Sequence, residues 1–386
     1  MKKLLAVSLA VLMLVSLCAC GGGSKNVIKI GVYEPQSGSN GAGGKQEILG
    51  MQYANEVTPE ITIDGKTYQI KLVISDNESS NDKAVSAASK LVSEGCAVVL
   101  GSYGSGVSIA GSDTFANAGI PVIGVTCTNP QVTEGNSHYF RICFLDPFQG
   151  TVLANFAKDE LKAKKAYCLG QLGNDYDIGL INYFKEAAVK LGMEVITAEF
   201  PENNNDFVSY LTNAKNAGAD VIFAPCSTNY AQLIIEQAAA QGISMPLLAG
   251  DTWDSNQILA AAKGKNVEIY VSTFYAEGGD VNFEKGFRDF INSNSVNKQN
   301  NGGNDIIAAV SVMGYDAYYT ALAAIKNAGS AKAADVLKAL PSTTYTGVTG
   351  KIAFNSIGDA ARDTAYIKKA NTASGLWDFV KVQVAN

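Results

Sequence analysis

Residues 98–130, VVLGSYGSGVSIAGSDTFANAGIPVIGVTCTNP, carry the side chains best suited to binding chemistry. Val98–Leu100 reads as a buried strand, Gly101–Gly106 as a turn rich in glycine and serine, Val107–Ala118 as a helix and Pro121–Val125 as a second strand. Ser102 and Ser105 fall in the first turn; Thr126 and Thr128 fall in the next, with Cys127 between them. Turns at the carboxyl ends of parallel strands are where open α/β sheets bind ligands. A helix starting near Ser105 presents unpaired N–H groups and its positive dipole end, so the expected occupant is an anion such as a ligand carboxylate. Other chemistry is sparse. His138 is the single histidine and reads as a surface or hinge residue, with nothing around it to complete a triad or a zinc site. No GxxxxGK[ST] loop, GxGxxG spacing or GxSxG elbow surrounds the glycines or Ser105. The expectation is a protein that is not an enzyme and uses no cofactor and no metal.

The elements that must position these turns alternate. Val27–Tyr33 reads as a strand, Gly38–Gly44 as a loop, Lys45–Glu56 as a helix, Tyr68–Ser75 as a strand and Asn81–Glu94 as a helix capped by Asn81. Such alternation predicts a parallel sheet covered on both faces. The pattern breaks around Tyr139–Gln149 and then resumes. Strands follow at Ala166–Leu169, Glu194–Phe200, Asp220–Pro225, Pro246–Ala249 and Glu268–Phe274, with helices near Asp177–Leu191, Phe207–Ala217, Tyr230–Gln241 and Ser255–Ala262. Two similar α/β lobes are expected. Helices are expected at Asn282–Asn292, Ile306–Ala328 and Ala333–Leu340, and Ser293–Asp305 reads as a polar loop without core-forming residues. The tail holds β-like runs at Lys351–Phe354, Thr364–Lys369 and Leu376–Val384 that can complete a sheet.

The chain has 386 residues, 47% hydrophobic and 17% charged, a globular composition. Its net charge of −6 argues against nucleic acid, whose backbone wants a basic face. Met1–Lys3 and the apolar run Leu4–Leu17 read as a secretion signal. The ending Leu17-Cys18-Ala19-Cys20 resembles a bacterial lipoprotein cleavage box, which implies a signal over residues 1–19, lipid on Cys20 and a tether over residues 20–26. The protein would then be extracytoplasmic and held at the outer face of the cell membrane. Cys96, Cys127, Cys143, Cys168 and Cys226 fall mostly in apolar runs and read as buried thiols.

IKIGVYEPQSG, VVLGSYGSG, IPVIGVTCTNP, NDYDIG and GYDAYYTALAAI, in that order, resemble the type I periplasmic-binding-protein family. These are substrate-binding components of ABC transporters, and the similarity is to the leucine/isoleucine/valine-binding branch. The resemblance implies a clamshell of two parallel-sheet lobes joined by three crossovers near Cys143, Val271–Thr273 and Thr346–Gly350. Lobe 1 would be residues 27–143 plus 273–346, and lobe 2 residues 144–272 plus 347–386. It implies an amino acid ligand, branched-chain by default, and a monomer that delivers it to a permease and its ATPase. The carboxylate serine falls on Ser105, the turn touching both charged ends on Thr126 and Thr128, the family's tyrosine on Tyr176, and the acid facing the ammonium on Asp251, where the prototype has glutamate. Pocket tyrosines of the prototype fall in Gly41–Gly44 and near Ser227, where this chain has none. Tyr103 and Trp253 lie close enough to these turns to line a pocket or to pack in the core. A sensor of the same fold, or a receptor for another small carboxylate, aromatic compound or amide, are the alternatives.

Overall fold

The computed structural model describes residues 26–385. The expected signal segment and Cys20 lie outside the described residues. The first lobe is built from β1 (Val27–Glu34), α1 (Gly41–Val57), β2 (Glu60–Ile63), β3 (Lys66–Asp76), α2 (Asn81–Ser93), β4 (Val98–Gly101), α3 (Ser105–Asn117), β5 (Val122–Gly124) and β6 (Tyr139–Arg141). These strands form one six-stranded sheet in the order β2-β3-β1-β4-β5-β6, parallel except for the β2–β3 hairpin.

The second lobe follows as α4 (Asp146–Asp159), β7 (Lys165–Gln171), α5 (Asp175–Lys190), β8 (Glu194–Phe200), α6 (Val208–Asn216), β9 (Val221–Phe223), α7 (Thr228–Ala240), β10 (Leu247–Ala249), α8 (Asn256–Ala262) and β11 (Ile269–Thr273). The chain then returns to the first lobe as α9 (Val281–Asn292), α10 (Ser295–Asn300), α11 (Ala309–Ala328) and α12 (Ala333–Ala339). A hairpin of β12 (Thr344–Gly347) and β13 (Gly350–Ala353) precedes β14 (Ala365–Asn371) and β15 (Leu376–Gln383). These last two strands close the second sheet, ordered β15-β14-β11-β10-β9-β7-β8, by antiparallel pairing on β11. The architecture is therefore two α/β lobes with largely parallel sheets, as the alternation predicts.

Three differences from the sequence reading have clear causes. The segment Gly41–Gly44, expected as loop, is the first turn of α1. A Cβ at Gly44 would lie 2.0 Å from the carbonyl oxygen of Pro35, so glycine is required by close packing rather than by a turn. The polar loop after α9 contains α10, and its Asn301 is fully buried, bonded through Nδ2 to the carbonyls of Asn304 and Ile306. The expected third crossover at Thr346–Gly350 is instead the β12–β13 hairpin, bound to the first lobe because Asp316 of α11 accepts the N–H groups of Val348 and Thr349. The chain passes to the second sheet later, through residues 354–364, where Asp359 bridges to Arg141 at the edge of the first sheet.

Packing of α11 on α1 needs two more close approaches. A Cβ at Gly50 would sit 1.8 Å from the Ser311 carbonyl oxygen, and one at Gly314 would sit 2.2 Å from that of Glu47. Ser311 Oγ also donates to the Gln46 carbonyl at 2.7 Å. This holds the start of α1, with Glu47, beneath the turns at the carboxyl ends of the strands. The five described cysteines are unpaired and buried.

Candidate functional site

Parallel strands end on the same side of each sheet, so their carboxyl-end turns gather along one edge. In both lobes those edges face each other across a cleft. A cavity of about 540 Å³ lies there, lined from the first lobe by the turns after β1, β3, β4 and β5 and from the second by those after β7, β8, β9 and β10. The lobes touch across it. Tyr103 Oη donates to the Thr252 carbonyl at 3.4 Å, Asn129 Nδ2 to the Asp175 carbonyl at 2.8 Å, and the Asn229 N–H to the Ser39 carbonyl at 3.4 Å.

Ser105, Thr126, Tyr176, Ser227, Asp251 and Tyr103 all line this cavity. Ser105 is the first residue of α3, so it and Gly106 and Val107 bring the free N–H groups of a helix N-terminus to the cavity wall. The Ser105 hydroxyl accepts the N–H of Asn129 at 3.2 Å and thereby ties α3 to the Thr126–Thr128 turn. Thr126 Oγ1 donates to both oxygens of Glu47, at 3.2 and 3.3 Å. Asn174 caps α5 by accepting the N–H groups of Tyr176 and Asp177, which fixes where the Tyr176 ring points.

Asp251 is the centre of the second lobe's contribution. It is 1% exposed, and its Oδ1 accepts from Gln149 Nε2 at 2.9 Å and Tyr176 Oη at 3.0 Å. Both of these side-chain hydrogen bonds fall on Oδ1, and among the described residues no cation pairs with the group. Burial pushes its pKa up to about 6. Behind Thr126, burial likewise drives Glu47 well above the usual carboxylate range, and Asp251 adds to it. A cation between them would relieve both, because each charge has been moved out of water without an opposite charge.

Cys127, Thr128 and Trp253, expected at the ligand, are placed behind the wall and not on it. Cys127 is fully buried in the first lobe's core with Phe115, Val122 and Tyr139, and its carbonyl accepts from Arg141 Nη1 at 3.0 Å. Thr128 is fully buried, and its carbonyl accepts the N–H of Asp146. The Trp253 indole is fully buried and donates to the Cys226 carbonyl at 3.0 Å, so the ring serves the second lobe's core. Each sits one residue or two beyond a lining residue, where the side chain turns to the other face of the turn.

Residues that the sequence reading missed are Glu34, Glu47 and Gln149, all fully buried. Glu34 accepts the Tyr103 N–H at 2.6 Å and so holds the turn after β4 from below. Glu47 carries a visible signal: an acid between Gln46 and the buried Ile48, Leu49 and Met51 interrupts the apolar face of α1. Gln149 has none, since its partners Asp251 and Ser272 are 102 and 123 residues away.

The profile of the periplasmic binding protein family matches residues 27–374. The Leu/Ile/Val-binding protein homolog 2 of Brucella abortus is 34% identical over 264 residues, 68% of this chain and 70% of that one. Among solved structures, a leucine-binding protein of Thermotoga maritima superposes with a TM-score of 0.81 at 29% identity, covering 93% of this chain and 99% of its own. A branched-chain amino acid transporter substrate-binding protein of Streptococcus pneumoniae, in complex with isoleucine, gives 0.78 at 27% identity, covering 93% of this chain and 99% of its own. The chain belongs to the periplasmic binding protein family, a family of extracytoplasmic solute-binding proteins and not of enzymes.

Proposed function

We propose that this protein is the solute receptor of an ABC importer, that it binds a free amino acid between its lobes, and that it hands the ligand to a membrane permease driven by its ATPase. The observation that carries this is the division of labour across the cleft. The first lobe offers the N-terminus of α3 with Ser105 for a carboxylate; the second offers Asp251, bracketed by Tyr176 and Gln149, for an ammonium. A zwitterion placed there bridges the lobes, so it binds the closed form more tightly than the open one, which is what a ligand-driven population shift requires. The permease then reads closure rather than the ligand itself. Charge-assisted hydrogen bonds at both ends fit an affinity in the micromolar range, about −8 kcal/mol.

Titration calorimetry of the ligand-free protein with the twenty amino acids tests this reading. Binding of at least one, lost for its deaminated analogue, is the expected outcome; binding only of carboxylates without an amine sinks it. The protein is further proposed to act as a monomer anchored by lipid on Cys20, and Cys20→Ser should move it from the membrane fraction to the soluble one.

A further inference from the structure

We propose that Gln149 is a positioning residue for Asp251: its amide, seated on the end of β11, holds the carboxylate in the place where a ligand ammonium meets it. The inference rests on the amino acid reading above and adds to the site a residue that does not itself line the cavity.

Gln149 stands in the first turns of α4 and is fully buried. Its Nε2 donates to Asp251 Oδ1 and to Ser272 Oγ, both at 2.9 Å. While the acid is charged the amide can face it in only one sense, because Oε1 in place of Nε2 would set a carbonyl oxygen against a carboxylate. Oε1 itself is buried without a hydrogen-bond partner. A buried acceptor left unsatisfied is costly, so the orientation is set by what Nε2 bonds. The seat on β11 is reinforced within the same turn. Asp254 accepts from Thr273 Oγ1 at 2.6 Å, next to Ser272. β11 ends at Thr273, so the turn that carries Asp251 is fastened to that strand end at two adjacent residues.

A second observation comes from the residue before Asp251. A Cβ on Gly250 would lie 2.3 Å from Tyr176 Oη and 3.2 Å from Gln149 Nε2. Those are the two side-chain atoms that donate to Asp251 Oδ1. A side chain at position 250 would crowd both, so the glycine leaves room for this pair of donors.

The hydrogen bond also bears on charge. Burial pushes Asp251 up to about 6, and the Gln149 amide is the first of the hydrogen bonds that hold it down, ahead of Tyr176. Without that donor the acid keeps its proton to higher pH, and a protonated Asp251 has no charge for an ammonium. The other titratable groups that face it are Tyr176 of α5, Asp146 of α4, Glu47 of α1, Tyr103 after β4, Cys143 before α4 and Asp254 of its own turn, none of them a cation. A change at Gln149 leaves all six in place, so wild type and variant compared at each pH read Asp251.

The test is calorimetry of the full-length ligand-free protein at pH 6 and pH 8, with whichever of the twenty amino acids the wild type binds best. Gln149→Met keeps the reach of the side chain and loses the donor. It should weaken binding about threefold at pH 8, where Asp251 is ionised in both proteins, and more than about tenfold at pH 6, where the variant's acid is largely protonated. Gly250→Ala, which crowds both donors, should show the same excess loss at pH 6, and it decides the matter if Gln149→Met does not fold. A loss equal at the two pH values, the mark of a merely structural role, overturns the inference while the amino acid receptor stands; so does unchanged affinity. If the wild type binds no amino acid, the functional reading itself fails and Gln149 has nothing to position.

Discussion

Asp359 and Asp254 are buried as deeply as Asp251 and Glu47, at 2% or less exposed, yet the two sets are partnered in opposite ways. Asp359 takes Arg141 Nε at 2.7 Å and the Thr133 hydroxyl at 3.0 Å. Asp254 takes Lys368 Nζ at 2.8 Å and the Thr273 hydroxyl at 2.6 Å. Both ion pairs sit beside the connections between lobes: Arg141 and Asp359 join β6 to the third crossover, and Thr273 ends β11 where the second one begins. Asp251 and Glu47, at the cleft, receive only neutral donors. A buried carboxylate without a cation is costly, and both of these border the cavity between the lobes, Asp251 lining it and Glu47 lying behind Thr126. The paired acids brace the connections between the lobes; Asp251 and Glu47 border the cleft.

The comparison is broken most severely at Arg141. Its guanidinium also donates to the carbonyls of Cys127 and Asn129 and to Thr133, so it positions the turn that carries Thr126 as well as the third crossover. Arg141→Met leaves Asp359 buried without its cation, and should cost about 3–5 kcal/mol in denaturant unfolding, as removal of one partner of a buried pair does. A loss below 1 kcal/mol, the range of an exposed pair, would put Arg141 with surface ion pairs instead. Asp251→Asn acts on the other set. It should weaken amino acid binding by about 2–5 kcal/mol while the unliganded protein melts no earlier, since an uncompensated buried charge is removed. Calorimetry and melting of the same sample separate the two effects.

The smallest effect is the pH slope of the ligand-free protein. Burial pushes Asp146 up to about 8 and Asp251 up to about 6, both above the unfolded carboxylate value. The folded state then holds more protons than the unfolded one between about pH 4 and pH 8, so stability from these groups is complete below about pH 4 and falls as pH rises through 6 and 8. Melting temperature should therefore decline from pH 5 to pH 8.5. Glu47→Gln should flatten part of that slope; a melting temperature rising with pH over this window would contradict it.

Much of this was legible from local pattern. The glycine- and serine-rich turn at Gly101–Gly106, followed by an apolar helix, located the α3 site because strand, turn and helix are all written within a few residues. Asp251 and Tyr176 required the family resemblance, since nothing in their neighbours places them at the cavity. Trp253 and Cys127 could not be separated from Asp251 and Thr126 by sequence. Neighbouring residues in a tight turn need not point the same way, and which of them face the cleft depends on the packing of the whole lobe.

Periodicity and residue type are local properties, and they were enough to read most of the alternating strands and helices and the two-lobed plan. Which acids meet a cation is settled by tertiary packing. Arg141 and Asp359 are 218 residues apart, and Asp254 and Lys368 are 114. Pairing at such separations follows from where two sheets and their crossovers bring side chains together, and the carboxylates left over at the cleft are identifiable only after those pairs have formed.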